Sequence, residues 1–117
     1  MEHSVILDGL NARQSDAVTS NSPHVLVLAG AGSGKTKVLV HRVAWYLETG
    51  QALPSSVLAV TFTNKAAAEM RHRIRNLTDS DTDSMWVGTF HNIAHRILRH
   101  HWKEAGLKQR FQRSFWI

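Results

Sequence analysis

The sequence predicts an α/β fold with a parallel sheet, and three observations carry that prediction. Short apolar runs at Val25–Ala29, Val57–Phe62 and Met85–Phe90 alternate with segments whose apolar residues recur at helical spacing. Strands alternating with helices favour a parallel sheet joined by right-handed crossovers. A glycine-rich stretch, AGAGSGKT at Ala29–Thr36, connects the first run to an amphipathic segment.

The elements follow in order. LNARQSDAV opens at Asn11, a good helix cap, and predicts a short helix over about 11 to 19. TSNSPH is turn chemistry ending at Pro23. VLVLA, Val25 to Ala29, is the continuous aliphatic run of a strand covered on both faces. Beyond the glycines, Thr36, Val40, Ala44 and Leu47 form one helical stripe, and Gly50 stands where that helix would stop. VLAVTF is a second buried strand, and NKAAAEMRHRIRNL then places Ala67, Met70, Ile74 and Leu77 on one face. TDSDTDS is a polar, acidic loop, MWVGTF a third short strand. The last helix puts Phe90, Ile93, Ala94, Ile97, Leu98 and Trp102 on its stripe. The tail RFQRSFWI could add another strand.

Composition sets the bounds. The 117 residues allow one domain with one core, and 43% hydrophobic against 20% charged residues is a globular balance. No apolar run approaches the ~20 residues needed to span a bilayer. MEHSVILDG carries Glu2 and Asp8 with only a brief apolar run, unlike a secretory signal. With no cysteine, a disulfide framework and thiolate metal sites are excluded. The expectation is a soluble, cytoplasmic protein without a membrane partner.

The net charge is +5, concentrated in two stretches. Arg96, Arg99, Lys103, Lys108, Arg110 and Arg113 stand against Glu104 alone, and Lys65, Arg71, Arg73 and Arg75 against Glu69. Such a basic half suits a polyanion such as nucleic acid, or is simply a solvated helix face.

The glycine-rich stretch has the strand–loop–helix setting that makes a phosphate-binding loop a mechanism rather than a pattern. Gly30, Gly32 and Gly34 let backbone N–H groups close on phosphate oxygens, and the helix starting near Lys35 adds its positive end. Lys35 should reach the β- and γ-phosphates, and the Thr36 hydroxyl should ligate Mg2+. Ala29 replaces the glycine of the strict pattern. Gln14, upstream, carries an amide that matches the adenine edge and favours ATP over GTP. TFTNKAAAEM and VGTFH follow directly on strands, where α/β folds place ligands. There Phe62 and Phe90 could stack on bases while Thr63, Asn64 and His91 bond to phosphates or bases. Phe90 also fits the core stripe of its helix, and Asn64 could merely cap the one after Thr63. His91 and His95 share a helical face, but no third metal ligand stands out.

LNARQSDAV, VLAGAGSGKT, AVTFTNKAAAEMRHRI and MWVGTFHNIAHRILR, in that order and spacing, resemble the N-terminus of superfamily 1 DNA helicases of the UvrD/Rep type. The resemblance covers residues 7 to 103. It implies a P-loop, RecA-like ATP-binding domain of a motor that moves 3′ to 5′ on single-stranded DNA and unwinds duplex in repair or replication. On that resemblance Gln14 is the adenine-reading glutamine, and Ala29, Gly30, Ala31, Gly32, Ser33, Gly34, Lys35 and Thr36 are the Walker A loop for ATP and Mg2+. Lys37 stands beside the adenine where the family often has arginine, a better stacking surface. Phe62, Thr63 and Asn64, then Thr89, Phe90 and His91, are the contacts to single-stranded DNA. Residues 1–89 are then the N-terminal part of the first RecA-like domain, and residues 90–117 the start of a helical insertion.

The resemblance fades after about FQ in the tail, which suggests a truncated reading frame. No Asp-Glu pair of the Walker B kind and no arginine finger is legible, so the remaining helicase domains are expected partners. Whether the chain is itself an enzyme stays open: it is an ATP hydrolase only when completed, or else a nucleotide- or DNA-binding module without catalysis. A small nucleotide kinase fits less well, because the TFTNKAAAEM and GTFH blocks have no counterpart there.

Overall fold

A computed structural model describes residues 4–28, 30 and 34–108. Its elements are α1 (Ser4–Leu7), α2 (Ala12–Thr19), α3 (Lys35–Glu48), a 3-10 turn (Pro54–Ser56), β1 (Leu58–Thr61), α4 (Asn64–Leu77), β2 (Trp86–Thr89) and α5 (Phe90–His100). β1 and β2 pair in parallel, Leu58 opposite Trp86 and Thr61 opposite Thr89, with α4 as the crossover. The fold is thus α/β, as expected, with a sheet of two strands among the described residues.

Each helix begins for a local reason. α2 opens on a capping box: the Asn11 side chain accepts from the Gln14 N–H, and the Gln14 side chain accepts from the Asn11 N–H. Thr63 caps α4 by accepting from Ala66 N–H, and Thr89 caps α5 by accepting from Asn92 N–H. α3 ends at Thr49, and Gly50 takes the left-handed φ of 73° that favours glycine there.

α3 organises two cores. Its Val40 and Leu47 pack with Ala59, Ala67, Met70, Ile74, Met85 and Val87 between the sheet and α4. Its Val38 and Ala44 pack with Ile6 and Val18 against α1 and α2. Burying one such aliphatic side chain is worth about 1.5–3 kcal/mol. Polar ties lock the second layer: Arg42 donates to Ala17 O at 2.6 Å and Ser20 O at 3.1 Å. The buried His41 ring meets Ile6 O through Nδ1.

Two expectations are corrected. The first apolar run is not a strand: Val25–Leu28 has no ladder partner among the described residues, and Leu26 and Leu28 are 82% and 86% exposed. Apolar patterning makes a strand only where backbone neighbours exist, and β1 and β2 pair with each other instead. The stripe of α5 is not a covered face, since only Ile93 is buried while Phe90, Ala94, Ile97 and Leu98 are exposed. The expected tail strand, Arg110–Ile117, lies outside the described residues, as do Ala29 and Ala31–Ser33.

At the outer edge of β2, one rung is occupied by a side chain. Trp86 N–H donates to Val57 O across the pair, so the neighbouring Val87 presents its carbonyl to the opposite side. Arg71 of α4 donates to that carbonyl at 2.7 Å.

Candidate nucleotide and nucleic-acid sites

The parallel register sets the first site. With Thr61 opposite Thr89, the chain leaves both strands at the same end, and Phe62 and Phe90 emerge as neighbours. Their ring centroids are 5.5 Å apart at 45°, and they are 87% and 59% exposed. Neither ring is core, which corrects the helix-stripe alternative for Phe90. Exposed aromatic pairs of this kind offer a stacking surface rather than fold stability.

Phe62, Thr63, Asn64, Thr89, Phe90, His91 and Asn92 line one open cleft of about 480 Å³. All six residues expected to touch DNA are therefore brought together. Asn64 does not serve as the cap of α4, which is Thr63; its side chain accepts instead from the Asn92 amide at 2.8 Å. Asn92 itself was not expected. The signal that could have found it is a recurrence: Thr-Phe-X-Asn occurs at Thr61–Asn64 and again at Thr89–Asn92, with the same offset as the strand register.

The second site lies at the start of α3. Gly34 is its N-cap, with φ 87° and no side-chain cap bond, so the first N–H groups of the helix face outward. Lys35 and Thr36 are exposed. Gln14 and Lys35 line one cavity of about 210 Å³ together with Asn11, Arg13, Val27, Leu28 and Gly34. A β-carbon on Gly34 would sit 2.9 Å from the Gln14 amide nitrogen, so that amide already faces the loop while its oxygen serves the capping box. Lys37 points elsewhere: its Nζ donates to Gly9 O at 2.9 Å, clasping the turn after α1. Gly30 is exposed; Ala29, Ala31, Gly32 and Ser33 lie outside the described residues.

The electrostatics are one-sided along α5. His91 and His95 stack at 5.8 Å, and Arg96 lies over the Trp86 ring at 4.1 Å. Partial burial, then the neighbouring His91 and Arg99 charges, hold the His95 imidazole below its ordinary value. No group of three or more metal-ligating side chains occurs among the described residues. Nor, among them, is any helix long and apolar enough to cross a membrane.

A mixed α/β unit whose strand ends present an exposed aromatic pair, beside a basic helix and an open helix start, has the makings of a nucleotide- and nucleic-acid-handling domain. The sequence matches the UvrD/REP helicase N-terminal domain over residues 10–114, and the chain belongs to that family. It is 57% identical over 112 residues to DNA helicase II of Escherichia coli, covering 96% of this chain and 16% of that protein. It is 58% identical over 112 residues to DNA helicase II of Salmonella typhimurium, with the same coverage. It is 43% identical over 106 residues to the ATP-dependent DNA helicase PcrA of Staphylococcus aureus, covering 91% of this chain and 14% of that protein. The chain thus corresponds to the N-terminal part of a DNA helicase of this type, with the RecA-like fold that the family implies.

Proposed function

We propose that this chain is the ATP-binding N-terminal portion of an ATP-dependent 3′–5′ DNA helicase of DNA repair or replication, working in the cytoplasm on single-stranded DNA. The observation that carries the reading is the convergence of Phe62 and Phe90, with Asn64 and His91, at one sheet end. Rings there stack on bases irrespective of sequence, which is what translocation along a strand needs.

ATP and Mg2+ fit the residues present at the other site. The free N–H groups at the start of α3 take phosphate oxygens, Lys35 neutralises the β- and γ-phosphates, and Thr36 supplies a hydroxyl for Mg2+. Ala29 to Gly34 form the loop around the phosphates, and the Gln14 amide reads the adenine edge. Lys37 would have to leave Gly9 O to approach the base.

Hydrolysis asks for more. Among the described residues no carboxylate lines the cavity beside Lys35, so nothing there orients an attacking water. The chain by itself is proposed to bind nucleotide and DNA without unwinding. It turns over only with the remaining helicase domains, residues 1–89 forming part of the ATP-binding domain and residues 90–117 opening the helical insertion.

The test is calorimetric titration of the purified chain with Mg-ATP, with Lys35→Ala as control. Saturable binding that the control abolishes is expected. Equal heats from both proteins would remove the assignment of the loop.

A further inference from the structure

We propose that the cleft between α4 and α5 is a second anion-binding subsite, which takes a backbone phosphate of the same single strand whose bases stack on Phe62 and Phe90. This inference rests on the DNA-binding part of the reading above and extends it to residues with no assigned role: Arg71, His95, Arg96 and Arg99.

The cleft measures about 410 Å³ and lies against the outer edge of β2. Arg71 enters it from α4, and His95, Arg96 and Arg99 from α5, while Ala67, Ala68 and Ile93 are among its apolar lining. No Asp or Glu lines it. The ion pairs of the described residues lie elsewhere, Arg75 with Asp83 and His101 with Glu104. Three guanidinium groups and an imidazole thus converge on one partly enclosed space without a counter-charge lining it. Arginine forks in that setting bind phosphate in paired, charge-assisted hydrogen bonds.

The forks are also held in place. Arg71 spends one N–H on Val87 O, and Arg96 rests on the Trp86 ring at 4.1 Å. Side chains already ordered lose less entropy when an anion arrives. The depressed His95 imidazole reports the same positive field from its neighbours His91 and Arg99.

Continuity favours nucleic acid over an acidic polypeptide. Asn64 and Asn92 line this cleft and also the aromatic one, and they are hydrogen-bonded to each other. A strand stacked on Phe62 and Phe90 reaches the basic cleft by crossing that single amide bridge. Stacking platforms beside a positively charged groove are how unspecific single-strand binders are built.

The experiment is fluorescence anisotropy of the full chain with labelled oligothymidylate across a salt series. Each phosphate contact in single-stranded DNA contributes about 0.7 to the slope of log affinity against log salt. Arg96→Gln with Arg99→Gln should lower the slope by about 1.4, Arg99→Gln alone by about 0.7. The corresponding double lysine variant should restore most of it. Circular dichroism checks that each variant is folded, and Arg99→Gln leaves the Trp86 contact in place.

Phe62→Ala separates the proposal from its foundation, since it should weaken binding with the slope unchanged. If Phe62→Ala weakens binding while the glutamine variants keep the wild-type slope, the cleft proposal falls and the aromatic site stands. No binding by the wild-type chain at any salt removes both. Binding of poly-glutamate that the glutamine variants lose, with the oligothymidylate slope unmoved, would give the cleft to an acidic polypeptide and overturn the proposal.

Discussion

Asn92 donates its side-chain amide to Asn64 at 2.8 Å across 28 residues of sequence, and this bond ties the first turns of α4 and α5 together. It joins the two segments that follow the strands, so it fixes Phe62 relative to Phe90. Asn92→Ala is expected to cost about 0.5–1.5 kcal/mol of stability, at the low end because Asn64 is exposed. Urea unfolding checks the magnitude, and an unchanged midpoint would show the bond to be incidental.

Phe62 is 87% exposed, so removing its ring should leave the fold intact. Phe62→Ala is expected to cost about 1–3 kcal/mol of affinity for oligothymidylate at fixed salt. A thermal scan run beside the titration discriminates: a lowered melting point with unchanged affinity would make the ring structural.

Gly34 holds a φ of 87°, and a β-carbon there would come within 2.9 Å of the Gln14 amide. Gly34→Ala therefore meets backbone strain of about 1–2 kcal/mol and displaces the amide that faces the loop. Mg-ATP binding should weaken by more than oligonucleotide binding does. Equal losses of both would point to general destabilisation instead.

His95 supplies a pH signature. Its folded value lies below the ordinary 6.5, so the unfolded chain binds the proton more readily. Its contribution to stability is complete above the ordinary value and is lost as the pH falls through the depressed one. His91, Arg96 and Arg99 on α5 and Arg71 on α4 make up the charge around it. Urea midpoints measured on either side of 6.5 should differ less in His95→Gln than in the wild type. Bound oligonucleotide should reverse the trend, because a phosphate favours the charged ring. A wild-type pH dependence identical to that of the variant would remove His95 from the account.

What could be read from the residues was what depends on short-range rules. Asn11, Thr63 and Gly50 punctuate helices by local hydrogen bonding and backbone freedom, and Ala67, Met70 and Ile74 bury the face their spacing predicts. Val25–Leu28 reads as a buried strand because its apolar pattern is correct, but a strand also needs backbone partners, and pattern carries no information about those. α5 fails similarly: its apolar stripe is real, yet coverage depends on what packs over it. The aromatic site was legible as residues but not as an arrangement. That Phe62 and Phe90 touch follows from the strand register, and the tie between Asn64 and Asn92 from the same register. The clasp of Lys37 on Gly9 O had no signal in the sequence at all.

The pairing of Thr61 with Thr89 makes β1 and β2 behave as the fixed jaws of a caliper. The gap between the two gripping loops is set by inter-strand spacing, not by how much chain runs between them. Lengthening the acidic connection from Thr78 to Ser84, at the opposite end of the strands, would alter the count of residues separating Phe62 from Phe90 without altering their distance. The same interval along the chain could be redrawn by insertion or deletion while the grip on a nucleic-acid strand kept its span. A one-residue slip of β2 against β1, by contrast, would exchange the faces of every side chain on it and open the jaws.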